Sequence, residues 1–381
     1  MTSTPVRVAD PRELVALAAH VLGFRPTQSL VAISLREHGR TGVIARVDLA
    51  AAGDPRLLAA VAEHLRADGA RAAVVLAHSE DGDGAGGLPH RESVQRLAEE
   101  LARCAVDPVH SWLVGGGVLR SYTCTGACCP PEGLALAEGG TQVAAEMVIA
   151  GSAVMSDQGA WRAGLLAAVV PLPAACRSEV ERAARAPLGP GEARGLLHWW
   201  CDALAAATAA AEAGPGLQEA VESLLAPAAA GRLLAGLADR RLRDALLLTL
   251  VPGAGGGAEE LVDGIEGPLA RAAMKGVFGG AVAGGGPAGA ASGPRAVPAP
   301  DPDVVRAAAE LLRALVRRAS PHRRADPLAV LAWAGWWQGA GPEAAVHADL
   351  ALRAEPDHAL ASLVLQSVDR GIPPAWARSA R

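Results

Sequence analysis

Between residues 6 and 125 the sequence switches repeatedly between helical and strand periodicity, and that alternation limits the possible folds more than any other feature. Two segments begin alike. Asp10-Pro11 and Asp54-Pro55 each set a capping carboxylate before a proline suited to the first helical turn. Leu14, Leu17, Ala18, Val21 and Leu22 then recur at helical spacing, as do Leu57, Leu58, Val61 and Leu65, with Gly23 and Gly69 ending the two helices. A third helix is predicted from about Arg91 to Cys104. Apolar, β-branched runs lie between and after these helices. Ser29 to Leu35 and Gly42 to Leu49, parted by His38-Gly39-Arg40, predict a hairpin. Ala72 to Ala77 is apolar without a break, as a strand buried on both faces would be. Val109 to Val114 and Val118 to Thr123 flank a Gly115-Gly116-Gly117 turn, and Val6-Arg7-Val8 predicts a short leading strand. The pattern predicts an α/β or α+β sheet domain over residues 1–150.

After residue 140 the helical period takes over. Gln142 to Ala150, Glu179 to Ala186, Gly191 to Glu212, Leu217 to Leu225, Asp239 to Leu250 and Asp303 to Ala319 all read as helices. We therefore expect a helical region over 151–251 and another over 301–381. Residues 252–300, rich in Gly, Ala and Pro, predict a flexible linker. From Pro327 the chain reads as paired helices. Leu328, Leu331, Ala332, Ala344, Ala351 and Pro356 fall where a tetratricopeptide (TPR) unit wants large, large, small, small, small and proline. Gly335 and Ala348 replace two aromatic positions of that pattern. Trp333, Trp336 and Trp337 share this segment at helical spacing, and Trp333 with one neighbour is expected to fill the core between helices.

Hydrophobic residues make up 51% of the chain but aromatics only 3%, so the core must be built chiefly from Ala, Leu and Val. A net charge of −5 opposes a protein devoted to nucleic acid. Of 35 basic residues only Lys275 is lysine. The N-terminus has no basic segment followed by an apolar run, and the longest apolar stretch, Trp161 to Cys176, carries Arg162 and is cut by Pro171 and Pro173. We expect a cytoplasmic protein with reduced thiols and no membrane span.

Rare residue types concentrate in residues 121–133: Ser121-Tyr122-Thr123-Cys124-Thr125-Gly126-Ala127-Cys128-Cys129-Pro130-Pro131-Glu132-Gly133 holds three of the six cysteines and the one tyrosine. Three thiols in six residues, with His110 or Cys104 as a fourth ligand, could hold zinc. Against that, structural zinc sites favour paired C-x2-C spacings from two separate loops and no second pair exists here, and adjacent cysteines of an extended segment point apart. A thiolate nucleophile at Cys128 or Cys129 would need a base or cation, for which His110 and Arg120 are local candidates. The sequence favours a structural turn packed on the sheet edge; no metal or cofactor is assigned. If the thiols do pair, Cys124 with Cys128 or Cys129 is the less strained bridge.

Other motifs fall away on inspection. Ser79-Glu80-Asp81-Gly82-Asp83-Gly84 resembles a calcium loop, yet its twelfth position is His90 rather than Glu. Gly82 to Gly87 fits G-x-G-x-x-G, but Asp81 and Asp83 would repel a pyrophosphate and Pro89 parts the glycines from the next helix. Arg46 and Asp48 share one face of a strand. With Arg25 and Arg120 they are candidates for an anionic ligand site that includes Tyr122 and the cysteines.

Taken together, Leu22-Gly23-Phe24-Arg25-Pro26, Ser29-Leu30-Val31, Ala45-Arg46-Val47-Asp48-Leu49, Arg120-Ser121-Tyr122-Thr123-Cys124 and Cys128-Cys129-Pro130-Pro131-Glu132-Gly133 resemble the high-GC bacterial family called domain of unknown function 4192. The ending, with Ala332-Trp333, Ala351-Leu352, Pro356-Asp357 and Gly371-Ile372-Pro373-Pro374, is similar to that family's too. The resemblance implies an architecture and no chemistry.

Two functional expectations follow. The first is a non-enzymatic binding or scaffold protein that meets a protein partner through residues 326–370. The second is an enzyme or a small-ligand or metal-binding protein using Cys124, Cys128 and Cys129 with Arg25, Arg46, Asp48, Arg120 and Tyr122.

Overall fold

The carboxylates read as helix caps do that work. Asp10 accepts from the Arg12 amide at 2.8 Å and opens α1 (Pro11–Leu22), and Asp54 accepts from Arg56 at 2.9 Å and opens α2 (Pro55–Ala67). These distances come from a computed structural model that describes residues 10–83, 87–136, 140–149, 152–189, 191–214, 216–265, 267–278 and 297–379. The leading strand expected at Val6-Arg7-Val8 lies outside the described residues. α1 ends at Gly23, whose φ of +81° is left-handed; a Cβ there would lie 2.7 Å from Trp161 Nε1.

The strands are β1 (Ser29–Leu35), β2 (Thr41–Asp48), β3 (Ala72–His78), β4 (Asp107–Gly115), β5 (Val118–Ser121) and β6 (Leu134–Ala135). They form one mixed sheet in the order β2-β1-β3-β4-β5-β6. β3 and β4 pair in parallel, joined by α3 (Arg91–Arg103), and the other neighbours are antiparallel. The β4–β5 hairpin turns on Gly116 and Gly117, with φ of +58° and +73°, as the right-handed twist of its strands requires.

Both faces of the sheet are covered. Leu30, Ala32, Val75 and Leu113 pack with Leu58 and Leu65 of α2 and Leu97 and Leu101 of α3. On the other face Val31, Ile33, Leu76 and Trp112 pack with Leu14, Ala18, Leu22, Phe24 and Trp161. Period-two alternation with apolar residues at both parities gives this arrangement. Asp68 at the end of α2 is buried and accepts from Ser34 Oγ at 2.8 Å, Val43 N at 3.0 Å and the Arg36 guanidinium, tying the helix to the β1–β2 hairpin.

Beyond β6 the chain is helical: α4 (Gln142–Ile149), α5 (Gln158–Ala168), α6 (Ala174–Arg185), α7 (Glu192–Ala213), α8 (Leu217–Leu224), α9 (Pro227–Leu237), α10 (Arg240–Thr249), α11 (Gly255–Val262), α12 (Pro268–Phe278), α13 (Pro302–Arg318), α14 (Ala325–Trp337), α15 (Gly341–Ala354), α16 (Ala359–Asp369) and α17 (Ala375–Ser379). The chain divides into two compact units, residues 1–163 and 164–381, so the first extends past the expected end at 150 and stops within α5. The linker expected over 252–300 is also revised. Residues 255–262 and 268–278 are helices; Ala258 and Val277 are buried in the helical core, and in 255–262 burial outweighs the low helix propensity of Gly255, Gly256 and Gly257. The remainder, residues 279–296, lies outside the described residues.

In the second unit α14 is buried from Pro327 to Trp337. Trp333 and Trp337 stack with ring centroids 5.4 Å apart, and Trp336 is buried with them. The indole N–H groups of Trp336 and Trp337 find acceptors, at Ile372 O, 2.9 Å, and at Leu250 O, 3.3 Å. Among the described residues no single helix is long and apolar enough to cross a membrane.

Candidate functional site

The cysteine turn grows out of the end of β5. Ser121 Oγ accepts from the amides of Thr123 at 3.2 Å and Cys124 at 2.8 Å, which bends the chain away from the sheet. The Cys129 amide then donates to Gly126 O at 2.9 Å, and the Gly133 amide to Pro130 O at 2.9 Å, before the chain re-enters the sheet as β6. The segment is therefore a pair of tight turns rather than an extended strand. That difference removes the reason for expecting adjacent cysteines to diverge.

The three sulfurs converge. Cys124 Sγ and Cys128 Sγ are 3.7 Å apart, Cys128 Sγ and Cys129 Sγ 3.8 Å, and all three lie within 4.8 Å of one another. Cys129 is buried against Trp112 and Leu119, Cys124 is half-buried, and Cys128 is exposed. All six cysteines are free thiols. The Gly126 amide donates to Cys124 Sγ at 3.5 Å and, with the neighbouring thiols, lowers the Cys124 pKa. Burial, reinforced by the adjacent sulfurs, pushes Cys129 up to about 12. A divalent cation among the sulfurs would reverse that balance and hold all three as thiolates.

The two residues considered as a fourth ligand do not join the cluster. Cys104 packs with the α2–α3 layer on the opposite face of the sheet, its Sγ 3.7 Å from Glu63 Oε1. His110 is exposed on β4, its ring 6.1 Å from that of Trp112. Among the described residues the group of ligand atoms within 4.8 Å consists of the three cysteines.

The remaining expected site residues separate into two places. Arg46 on β2 donates to Ser29 Oγ at 2.9 Å, pairs with Asp48, and lies 5.8 Å from the centroid of the Phe24 ring. Arg25, beside Phe24, is exposed, and its amide donates to Met155 O at 3.0 Å. Arg120 and Tyr122 lie at β5, four inter-strand steps from β2, or roughly 19 Å at about 4.8 Å per step. Arg120 Nη1 donates to Asp83 Oδ2 at 2.8 Å. Tyr122 is buried; its hydroxyl donates to Pro89 O at 2.6 Å, and Arg91 sits 5.7 Å from its ring centroid. Burial raises the Tyr122 pKa, which leaves it a hydrogen-bond donor rather than a base at neutral pH. The arginines of β2 and β5 thus do not share one cavity with the cysteines.

With this geometry in hand, a family model decides the chain's relationship: that of the family described as domain of unknown function (DUF4192) matches residues 11–263 and 299–375. The chain belongs to this family. A match was found neither among curated proteins nor among solved structures.

In this DUF4192 protein a second polar group sits at the C-terminal end of β3, and sequence reasoning missed it. His78 is buried, its Nε2 has no hydrogen-bond partner, and burial together with the nearby Arg46 charge lowers its pKa to about 4. Just beyond, His90 Nε2 lies 3.0 Å from Ser79 Oγ and 2.8 Å from Asp81 Oδ2. A serine–histidine–acid relay needs the hydroxyl and the carboxylate on opposite ring nitrogens. Here one nitrogen meets both, so the group ties the β3–α3 loop together and does not activate the serine. Ser79 directly after an apolar strand was the available signal, masked by the loop's resemblance to a calcium site.

Proposed function

We propose that this DUF4192 protein is a metal-binding protein whose centre is the turn at 121–133. One observation carries the reading: three sulfurs within 4.8 Å of one another, two of their separations being 3.7 and 3.8 Å. Tetrahedral zinc with Zn–S bonds of about 2.3 Å has an S···S edge of about 3.8 Å. Cys124, Cys128 and Cys129 would hold the ion, with the Gly126 N–H supporting the Cys124 sulfur. A soft or borderline divalent ion suits an all-thiolate donor set, and a reducing cytoplasm would keep that set available. Native mass spectrometry and metal analysis of the full chain, purified under reducing conditions, test this. We expect about one zinc per chain, lost in Cys128→Ser; a metal-free wild-type chain that takes up no added zinc would refute it.

A second reading concerns the helical unit, where we infer a TPR-like docking module over residues 326–370. Of the positions that match the TPR pattern, Leu328, Leu331, Ala332, Ala344 and Ala351 are buried and Pro356 is exposed. A Cβ at Gly335 would lie 3.3 Å from Ala344 N, so α14 and α15 approach as closely as small residues allow. Leu363 and Gln366 are exposed on α16. A protein captured by the wild type but not by a Leu363→Glu, Gln366→Glu variant of unchanged thermal stability would support this reading. Equal capture by both would count against it.

A further inference from the structure

Beyond metal binding itself, and resting on that reading, we infer that the ion keeps one coordination position for a neutral donor ligand from outside the chain. Three protein ligands leave a tetrahedral ion one short, and closed four-ligand sites are the structural kind whereas three-ligand sites receive a water or another ligand. Among the described residues no His, Cys, Asp or Glu atom joins the three sulfurs within 4.8 Å. The arrangement of the sulfurs agrees with access from solvent: Cys129 is buried on the sheet side, while Cys128 is exposed.

Charge selects the class of ligand. Three thiolates around a divalent ion sum to one negative charge, and a fourth thiolate would bring it to two. Such a centre needs amide or cationic donors turned toward its sulfurs. Among the described residues one N–H···S bond, from Gly126, serves the cluster. Arg120, the nearest cation in sequence, is engaged by Asp83 at 2.8 Å. A neutral donor adds no charge, so water at rest and an imidazole-type nitrogen in exchange fit best.

Cobalt(II) is a suitable probe, because its visible bands report the ligands around it. The full chain would be loaded with Co²⁺ under anaerobic, reducing conditions and titrated separately with imidazole and with 2-mercaptoethanol. We expect a saturable, one-to-one change in the visible bands with imidazole and a weaker response to the thiol. Co²⁺ taken up with bands indifferent to imidazole would mean that the fourth vertex is already filled; this inference would fall while metal binding stood. A response to the thiol alone would overturn the choice of a neutral donor. Failure to take up Co²⁺ at all would remove the metal reading and this inference with it.

Discussion

His347 offers the sharpest energetic test of the helical unit. It is fully buried on α15, and neither ring nitrogen has a hydrogen-bond partner. Glu343 Oε1 lies 4.0 Å from Nδ1, but Arg313 takes up that carboxylate at 2.7 Å, and Glu310 pairs with the same arginine. Burial, with the Arg313 charge adding to it, lowers the His347 pKa from 6.5 to about 3. The folded state therefore keeps a neutral ring while the unfolded chain takes up a proton below pH 6.5. Stability is lost as pH falls through the unfolded value, and the loss continues until the folded value is reached. At pH 5, about 1.5 units below the unfolded pKa, the loss attributable to His347 is roughly 2 kcal/mol at about 1.36 kcal/mol per unit. His347→Leu removes this term. It also removes two unsatisfied buried nitrogens, so the variant should be no less stable than wild type at pH 7. Urea unfolding followed by tryptophan fluorescence suits the measurement, since Trp199, Trp200, Trp333, Trp336, Trp337 and Trp376 all belong to residues 164–381. Carboxylates such as Glu181, Glu192 and Glu222, held below their usual range, titrate alike in both proteins and cancel in the comparison. Equal losses for wild type and variant between pH 7 and pH 5 would refute the reasoning.

Three further substitutions probe other parts of the fold. Trp333→Ala empties the stacked tryptophan core, and we expect a loss of about 3–5 kcal/mol in urea unfolding of the helical unit. Asp68→Ala strips Ser34, Arg36 and the Val43 amide of their shared acceptor, which should cost about 3 kcal/mol and expose the β1–β2 amides to faster hydrogen exchange. Gly23→Ala forces a side chain into a left-handed conformation and against Trp161; a loss of roughly 1–3 kcal/mol is expected in thermal unfolding, with a red shift of Trp161 emission.

Features that depend on neighbours along the chain were legible in the residues alone. The caps at Asp10 and Asp54 act within two residues, and helical spacing locates α1, α2, α3, α7 and α13 because an apolar face recurs every turn. The β1–β2 and β4–β5 hairpins were legible for the same reason. β6 was not, since its two residues carry no periodicity, nor was α11, whose three leading glycines argue against a helix until tertiary burial is counted, nor α12, whose helix-forming residues sit inside a stretch rich in Gly and Pro. The candidate site divides along the same line. Cys124, Cys128 and Cys129 were conspicuous as a local cluster, but whether their sulfurs meet rests on the turn bonds of Ser121 and Gly126. The grouping of Arg25, Arg46 and Asp48 with Arg120 and Tyr122 failed because β1, β3 and β4 come between their strands. Strand order is set by which faces find cover across the whole domain, and no local spacing encodes it. The tertiary structure alone parts those arginines, whereas the three thiols meet through turn bonds local to the segment, and the sheet adds only the packing of Cys129 on Trp112 and Leu119.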